Sequence, residues 1–216
     1  MKGSRLVVVA EGAGWAFGLA GMVWWGAFQA DMASSTKHDL ERFATLRQLV
    51  QEAGTPDQAL WSPARVAAWR RAMLTATAAP VAVLRVPAIG LEVPVLAGTA
   101  NDTLDRGVGH IEGTAQPGTE GNMGLAGHRD GFFRGLKDLN VDDVIEVDTT
   151  GGTEVYRVER TWVVDPGDVS VLNPTPRRSL TLVTCYPFYF VGSAPHRFIV
   201  RAVRADGPAS RVGNGS

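Results

Sequence analysis

The stretch from residue 179 to residue 197 decides the fold: Ser179-Leu-Thr-Leu-Val-Thr-Cys-Tyr-Pro-Phe-Tyr-Phe-Val-Gly-Ser-Ala-Pro-His-Arg197. Residues 179–184 alternate Leu and Val with Thr, a composition typical of a buried strand. Cys185 follows at the strand end, just before Tyr-Pro, and a proline makes this a rigid place from which to present a side chain. Arg197 begins the next β-rich run twelve residues later. The stretch therefore predicts two strands joined by a loop, with a thiol ending one and a guanidinium beginning the other.

Short β-rich runs continue on both sides of this stretch. We predict strands over Val81–Val86, Leu91–Leu96, Asn122–Gly127, Asp143–Asp148, Thr153–Val164, Ser179–Thr184 and Arg197–Val203. The segments between them are long enough only for short helical turns, around Leu104, 132–136 and 169–172. The pattern predicts a mostly β fold, a single mostly antiparallel barrel of about seven or eight strands.

The N-terminal residues have a different composition. Residues 6–30 form a 25-residue stretch with one charge, Glu11, and Lys2 and Arg5 precede it. As a helix this stretch reaches roughly 37 Å, enough to cross a hydrocarbon core of about 30 Å. The residues at −3 from the candidate cleavage sites are too large or charged for a cleaved signal peptide. We predict an uncleaved signal anchor in the cytoplasmic membrane, single-pass, with the rest of the chain on the extracytoplasmic side.

The segment between the anchor and the barrel is polar and helical. Its second helix is predicted to begin with Ser62 as N-cap and Pro63 in the first turn. Whether these helices dock on the barrel or form part of its core is left open by the sequence. We predict four parts: 1–30 cytoplasmic N-terminus and transmembrane anchor, 31–79 helical juxtamembrane stalk, 80–205 β-barrel domain, 206–216 flexible tail.

Charge and cysteine content exclude several classes of protein. The 216 residues carry 21 basic and 22 acidic side chains, a formal net charge of −1. The chain has no excess of basic residues of the kind that binds nucleic acid, so we expect no nucleic-acid partner. A single cysteine, Cys185, excludes an intramolecular disulfide and any multi-cysteine metal site. The thiol is then either a passive buried group or a reactive one.

Three side chain types in this sequence supply a complete set for acyl transfer. A thiol nucleophile needs a proton acceptor and a donor for the charge that develops on the attacked carbonyl. The imidazole of His128, in a Gly-flanked loop, suits the first task. Arg197 cannot deprotonate and offers planar N–H donors, which suits the second. The alternative, that Cys185 is an inert small hydrophobe, stays open at this point.

The remaining histidines are assigned simpler roles. His110 lies in a Gly-rich loop and is predicted to be a loop or substrate-site residue. His196 directly precedes Arg197, and neighbours on a strand point to opposite faces, so His196 is not expected to face the cysteine. His38 is predicted to be solvated. Asp130 either forms an ordinary loop ion pair with Arg129 or orients the imidazole of His128.

The chain resembles a known family. Thr181-Leu-Val-Thr-Cys185 matches the TLxTC signature of sortases, the cell-surface cysteine transpeptidases. The segment 109–136, with Gly109-His110, Gly113-Thr114, Pro117-Gly118 and Gly127-His-Arg-Asp130, is similar to the family's histidine region. Cys-Tyr-Pro-Phe and Gly-Ser-Ala-Pro ahead of Arg197 look most like the class D branch. The likeness covers about 81–203.

This resemblance implies a sortase-type barrel and a reaction. Cys185 would be the nucleophile, His128 the general acid/base and Arg197 the oxyanion-stabilising residue, with Thr184, His110 and Tyr186 as candidate substrate-binding residues. The enzyme would cleave an LPxTG-like sorting signal of secreted proteins between Thr and Gly. The thioacyl group would then pass to an amine acceptor such as a cell-envelope component.

The resemblance also implies what to expect of cofactors and lids. Some sortases bind calcium through loop carboxylates, but the loop acids here are scattered, so we expect no cofactor and no metal site. An Asp-Pro-aromatic lid motif is not found ahead of the barrel, which argues against a pilin polymerase. Two rivals stay open: a thiol hydrolase on the same barrel, and a non-catalytic anchored domain that binds extended peptides.

Overall fold

The computed structural model describes residues 55–74, 79–189 and 192–205, together with Met22, Ala44 and Gln48. The chain divides into two compact units, 1–44 and 45–216. The predicted anchor, the first part of the stalk and the tail lie outside the described residues, apart from those three positions. Among the residues described, no helix is both long and apolar enough to cross a bilayer.

Eight strands of the described chain close into one barrel. They are β1 Ala82–Val86, β2 Leu91–Ala97, β3 Val108–His110, β4 Asn122–Ala126, β5 Val144–Thr149, β6 Gly152–Val164, β7 Ser179–Tyr186 and β8 His196–Arg204. Their order around the barrel is β1-β2-β3-β4-β7-β8-β6-β5, and β5 pairs with β1. Six of the eight pairings are antiparallel, and β2–β3 and β4–β7 are parallel. The predicted mostly antiparallel barrel is confirmed.

Helical segments are short and few in the described ranges. They are α1 Pro63–Leu74, α2 Asn101–Arg106, and the 3₁₀ turns Pro87–Ile89, Phe132–Asp138 and Val169–Leu172. Helix α1 begins as predicted, because the Ser62 hydroxyl accepts a hydrogen bond from the backbone N–H of Arg65 at 3.2 Å. Helix α2 supplies the crossover that the parallel β2–β3 pairing requires.

Strand β3 is the one strand that the sequence analysis did not delimit. It has three residues, and glycines at 107 and 109 weaken its strand pattern. A Cβ added at Gly107 would lie 2.4 Å from the carbonyl oxygen of Pro94, and one at Gly109 would lie 2.2 Å from that of Gly98. The backbone of the neighbouring segment occupies the space that a side chain would need, so only glycine fits at these two positions. The same glycines are depleted in strands, and the sequence pattern therefore does not indicate a strand here.

The barrel interior determines which residues of β7 and β8 face outward. Leu180 and Leu182 of β7, and Val200 and Ala202 of β8, are fully buried in the core. Because side chains alternate along a strand, the odd-numbered residues of both strands lie on the outer face. Cys185 is therefore presented on the outside of the barrel, at the end of β7.

Helix α1 packs against the barrel. Trp61, just ahead of the helix, meets the ring of Phe132 edge-on at a centroid distance of 4.9 Å. Trp61 and Trp69 both pack against the hydrophobic core. The question of docking that the sequence left open is therefore answered for this part of the chain. The domain boundary drawn at residue 80 stays a prediction.

Candidate active site

The register of β7 and β8 places Cys185 opposite Arg197. The antiparallel ladder pairs Cys185 directly with Arg197, and Tyr186 with His196. Side chains of directly opposed residues lie on the same face, with Cβ atoms about 4.5–5.5 Å apart. His196 lies on the other face, with its Nδ1 3.3 Å from Oδ1 of Asp165. The cysteine is partly exposed, so the pair is accessible from outside.

The parallel pairing of β4 with β7 brings His128 to the same place. The paired residues end at Ala126 and Val183, and the backbone N–H of Gly127 donates to the carbonyl of Val183 at 3.2 Å. Thr184 Oγ1 then donates to the carbonyl of Gly127 at 2.7 Å. His128 follows directly after this last bonded residue, near the strand end that carries Cys185. Cys185 and Arg197 are directly opposed, and the catalytic roles of all three residues stay predictions.

A tight turn fixes the backbone around His128. The carbonyl of His128 accepts hydrogen bonds from the N–H groups of Gly131 and Phe133, at 3.2 Å and 3.3 Å. A Cβ at Gly127 would lie 2.7 Å from the ring of Phe133, which is fully buried. Glycine is therefore required just before the histidine, because the aromatic ring that anchors the turn occupies the space of a side chain.

The environment of the imidazole favours its neutral form. The side chain of His128 is 21% exposed, and its Nε2 lies 3.4 Å from Oδ1 of Asp105 without forming a hydrogen bond. Burial lowers the pKa of His128 below its ordinary value and the charge of Arg65 lowers it further, while Asp105 and Asp130 act in the opposite direction. A neutral imidazole is the form that can accept a proton from a thiol.

Two charged residues near His128 were not found from the sequence. Arg65, on α1, donates from Nε to Oδ1 of Asp130 at 3.2 Å, and its Nη1 bonds to Oδ1 of Asp105 on α2. These partners are 40 and 65 positions away from Arg65, and no motif joins them. Across the described residues, no three His, Cys, Asp or Glu side chains group as metal ligands.

Arginines also shape the loop between β7 and β8. Arg129 donates to the carbonyl oxygens of Pro187 and Gly192, at 3.1 Å and 2.8 Å. Arg197 donates from Nη1 to the carbonyl oxygens of Ala194 and His196, at 3.3 Å and 3.0 Å. The loop that follows the cysteine is therefore held to the histidine turn on one side and to Arg197 on the other.

The predicted substrate-binding residues are all engaged in internal contacts. Thr184 is buried and bonded to Gly127, and Tyr186 stacks on Phe198 with a centroid distance of 6.2 Å. By alternation along β7, both face away from the side that carries Cys185. His110 is 4% exposed, and its Nε2 lies 2.9 Å from the carbonyl oxygen of Ala115. These contacts favour structural roles; as substrate contacts the three stay predictions.

The outer face of β4, β7 and β8 continues away from the cysteine as a strip of small and apolar residues. Ala126 pairs with Val183, and Val183 pairs with Ile199. The turn Val169–Leu172 covers the far end, where the carbonyl of Val171 accepts hydrogen bonds from Asn122 and Arg201 at 3.1 Å and 2.6 Å. A cavity of about 270 Å³ opens beside this turn. Ala126 and Val183 are partly exposed along this strip, whereas Ile199 is fully buried.

Comparisons with a family model and with individual protein sequences point to the same family. Residues 84–205 match the family model described as the Sortase domain. Sortase D of Bacillus subtilis (strain 168) is 37% identical over 123 residues, which cover 56% of this chain and 62% of that protein. Sortase SrtE1 of Streptomyces coelicolor is also 37% identical, over 55% of this chain and 38% of that protein. The chain thus spans less than two thirds of the length of each.

Solved structures show the same architecture. The chain is similar to a Clostridium perfringens Sortase D5 transpeptidase with a TM-score of 0.56 and 26% identity, covering 75% of this chain and 96% of that one. It is also similar to sortase A from Corynebacterium diphtheriae, with a TM-score of 0.57 and 26% identity over 82% of this chain and 98% of that one.

Proposed function

The chain belongs to the sortase family, and on that premise we propose that it is a membrane-anchored cysteine transpeptidase. Its substrate is an LPxTG-like sorting signal, cleaved between Thr and Gly. The observation that carries the proposal is the direct pairing of Cys185 with Arg197 on the outer face, with His128 on the adjoining strand extension. A cysteine with only a structural role would not require a histidine and an arginine nearby.

The first half of the reaction forms a thioester. His128 takes the proton from the Cys185 thiol, and the sulfur attacks the carbonyl carbon of the substrate threonine. Arg197 donates to the oxygen that gains negative charge, exchanging backbone carbonyls for the oxyanion. When the Thr–Gly C–N bond breaks, the imidazolium gives its proton to the leaving glycine amine. The neutral imidazole favoured by the folded environment is the form in which this cycle begins.

The second half releases the acyl group to an acceptor. An amine attacks the thioester carbonyl, a C–N bond forms and the C–S bond breaks. His128 removes a proton from the attacking amine, and the sulfur regains one as it leaves. Transfer to an amine makes the enzyme a transpeptidase, whereas transfer to water would make it a hydrolase.

The substrate lies along the strip between Cys185 and the turn Val169–Leu172. The partly exposed apolar side chains of Ala126 and Val183 suit the Leu and Pro of the signal, because these side chains gain free energy by leaving water. The scissile bond then falls at Cys185, at the end of β7.

Residues 6–30 anchor the protein in the cytoplasmic membrane and leave the barrel on the extracytoplasmic side, where secreted substrates and envelope amines are found. Lys2 and Arg5 support this orientation through the positive-inside rule. Protease treatment of intact cells tests it: the barrel should be degraded. A barrel protected until the cells are lysed would contradict the orientation.

The transfer reaction is tested with a labelled LPxTG peptide, with and without an added amine such as triglycine. Mass spectrometry should detect the acyl-peptide on Cys185, and the amine should convert the product from free acid to amide. Formation of free acid alone at saturating amine would assign the protein as a hydrolase. Binding of the peptide without covalent capture would leave only a peptide-binding domain.

A further inference from the structure

One face of the segment ahead of the barrel is directed at the histidine turn. Arg65 and Trp69 are spaced four residues apart, so they lie on the same side of α1, and Trp61 lies just ahead of the helix. The two tryptophans pack against the barrel core, which fixes the helix on both sides of the arginine. Arg65 is therefore held against the barrel, with a side chain only 17% exposed.

Arg65 lies close to His128. A Cβ added at Gly131 would lie 3.5 Å from Cδ of Arg65 and 3.6 Å from Cβ of His128, so the two side chains flank the same glycine. The guanidinium bonds to Asp105 and Asp130 at once, and the Asp105 oxygen that it binds is the one 3.4 Å from Nε2 of His128.

The charges around the imidazole come from several elements. Asp105 on α2 and Asp130 in the histidine turn would favour the imidazolium by Coulombic attraction. Arg65 on α1 is the cation paired with both of them. Cys185 and Arg197 are paired with each other at the adjoining ends of β7 and β8. Burial lowers the pKa of His128, and the charge of Arg65 lowers it further by offsetting part of the effect of the two carboxylates.

We propose that Arg65 is a positioning residue for His128: it fixes the two aspartates beside the imidazole and offsets their negative charge, so that the histidine stays neutral and correctly placed. The inference rests on the proposed function for its relevance to turnover. Through Arg65, helix α1 would contribute directly to the candidate active site. Removal of Arg65 would leave two carboxylates beside the imidazole without their counter-charge.

The test compares Arg65→Gln with Arg70→Gln, an exposed arginine on the same helix. The His128 imidazole is titrated by NMR in the full chain, with His128→Gln used to assign its signal. Arg65→Gln should raise the pKa of His128 relative to wild type, and kcat should fall by roughly tenfold to 100-fold. Arg70→Gln should change neither. Arg65→Lys should restore much of the titration but less of kcat, because a point charge does not reproduce the fork that joins two carboxylates.

Asp105→Asn should shift the pKa of His128 in the opposite direction to Arg65→Gln, because removing a carboxylate should lower that pKa. It also keeps the inference testable if Arg65→Gln fails to fold. Equal titration of His128 in Arg65→Gln and Arg70→Gln, or an unchanged value in Asp105→Asn, would overturn the inference. Because the titration needs no turnover, an inactive wild type with the expected shifts would refute the proposed function and leave the electrostatic role of Arg65 standing.

Discussion

The two halves of the candidate site are built in different ways. Cys185 and Arg197 are placed by the backbone ladder of β7 and β8, in which each residue has a fixed partner. His128 lies one residue beyond a glycine that extends β4, and its side chain is surrounded by charged groups from α1, α2 and its own turn. The first half depends on strand register, and the second on ion pairs between distant segments.

The difference affects how each half responds to change. A strand register cannot shift by one residue without turning every side chain to the opposite face, so the thiol and guanidinium remain paired as long as the barrel folds. An ion pair between partly exposed groups contributes little stability and can be lost alone. Substitutions in the strand half should therefore act on chemistry, and those in the histidine half on protonation and placement.

Replacement of Cys185, the proposed nucleophile, has the largest expected effect. Cys185→Ala should abolish covalent capture of a sorting peptide, because no other thiol exists in the chain. The melting temperature should stay close to wild type, since the residue is partly exposed at a strand end. Mass spectrometry and thermal unfolding check the two parts. Continued cleavage by the variant would show that the mechanism assigned to the strand half is wrong.

Arg197→Lys should have the next largest effect on activity. A lysine keeps the charge but loses the planar donors, and losing one oxyanion donor costs roughly 10²–10³ in kcat. The matched control is Arg204→Lys, on the same strand and 44% exposed, which should retain activity. Steady-state kinetics with the peptide measure both. Undiminished kcat in Arg197→Lys would remove Arg197 from the chemistry.

Thr184→Val tests the connection between the halves. It deletes the 2.7 Å hydrogen bond from Thr184 to Gly127 and leaves a buried carbonyl without that partner, which should cost about 1–3 kcal/mol of unfolding free energy. Thr119→Val removes a bond of similar length, to the carbonyl of Gln116, at an exposed position and should cost much less. Urea unfolding compares the two variants. Equal losses would mean that the Thr184 bond does not stabilise the site.

The smallest effect is on the pH dependence of stability. Because the pKa of His128 is lowered in the folded state, the unfolded chain binds a proton more readily. Wild type should therefore lose stability relative to His128→Gln as the pH falls through about 6.5, the reference value of histidine, and the loss should level off once the folded state is protonated. Urea unfolding at pH 8, 7, 6 and 5 measures this difference. A wild type that gains stability on acidification would reverse the sign assigned to the His128 environment.

The sequence was informative where function depends on local pattern. The Thr-Cys-Tyr-Pro strand end, the Gly-flanked His128 and Arg197 near the start of β8 could be proposed from sequence because each is marked by its immediate neighbours. Side-chain alternation also predicted correctly that His196 does not face the cysteine.

The features that the sequence analysis did not predict depend on segments that come into contact only in the folded chain. Arg65 and Asp105 are 40 positions apart and carry no marking neighbours, so their pairing around His128 has no signal in a single sequence. His110 was predicted to lie in a Gly-rich loop near the substrate, but it is the last residue of β3, where its buried imidazole lies 2.9 Å from the carbonyl oxygen of Ala115. Strand β3 was not delimited because its glycines admit a neighbouring backbone.

The closed ring of strands has a consequence for peptide recognition. Since β1 pairs with β5 and each of the eight described strands has two hydrogen-bonded neighbours, the barrel offers no free edge to which a peptide can add as a ninth strand. A bound peptide must instead lie on the outer face of the barrel and contact outward side chains and the covering turn. Discrimination between signals then depends on a few side-chain contacts, and exchanging partly exposed residues such as Ala126 or Val183 should alter the preferred signal without disturbing the backbone ladder.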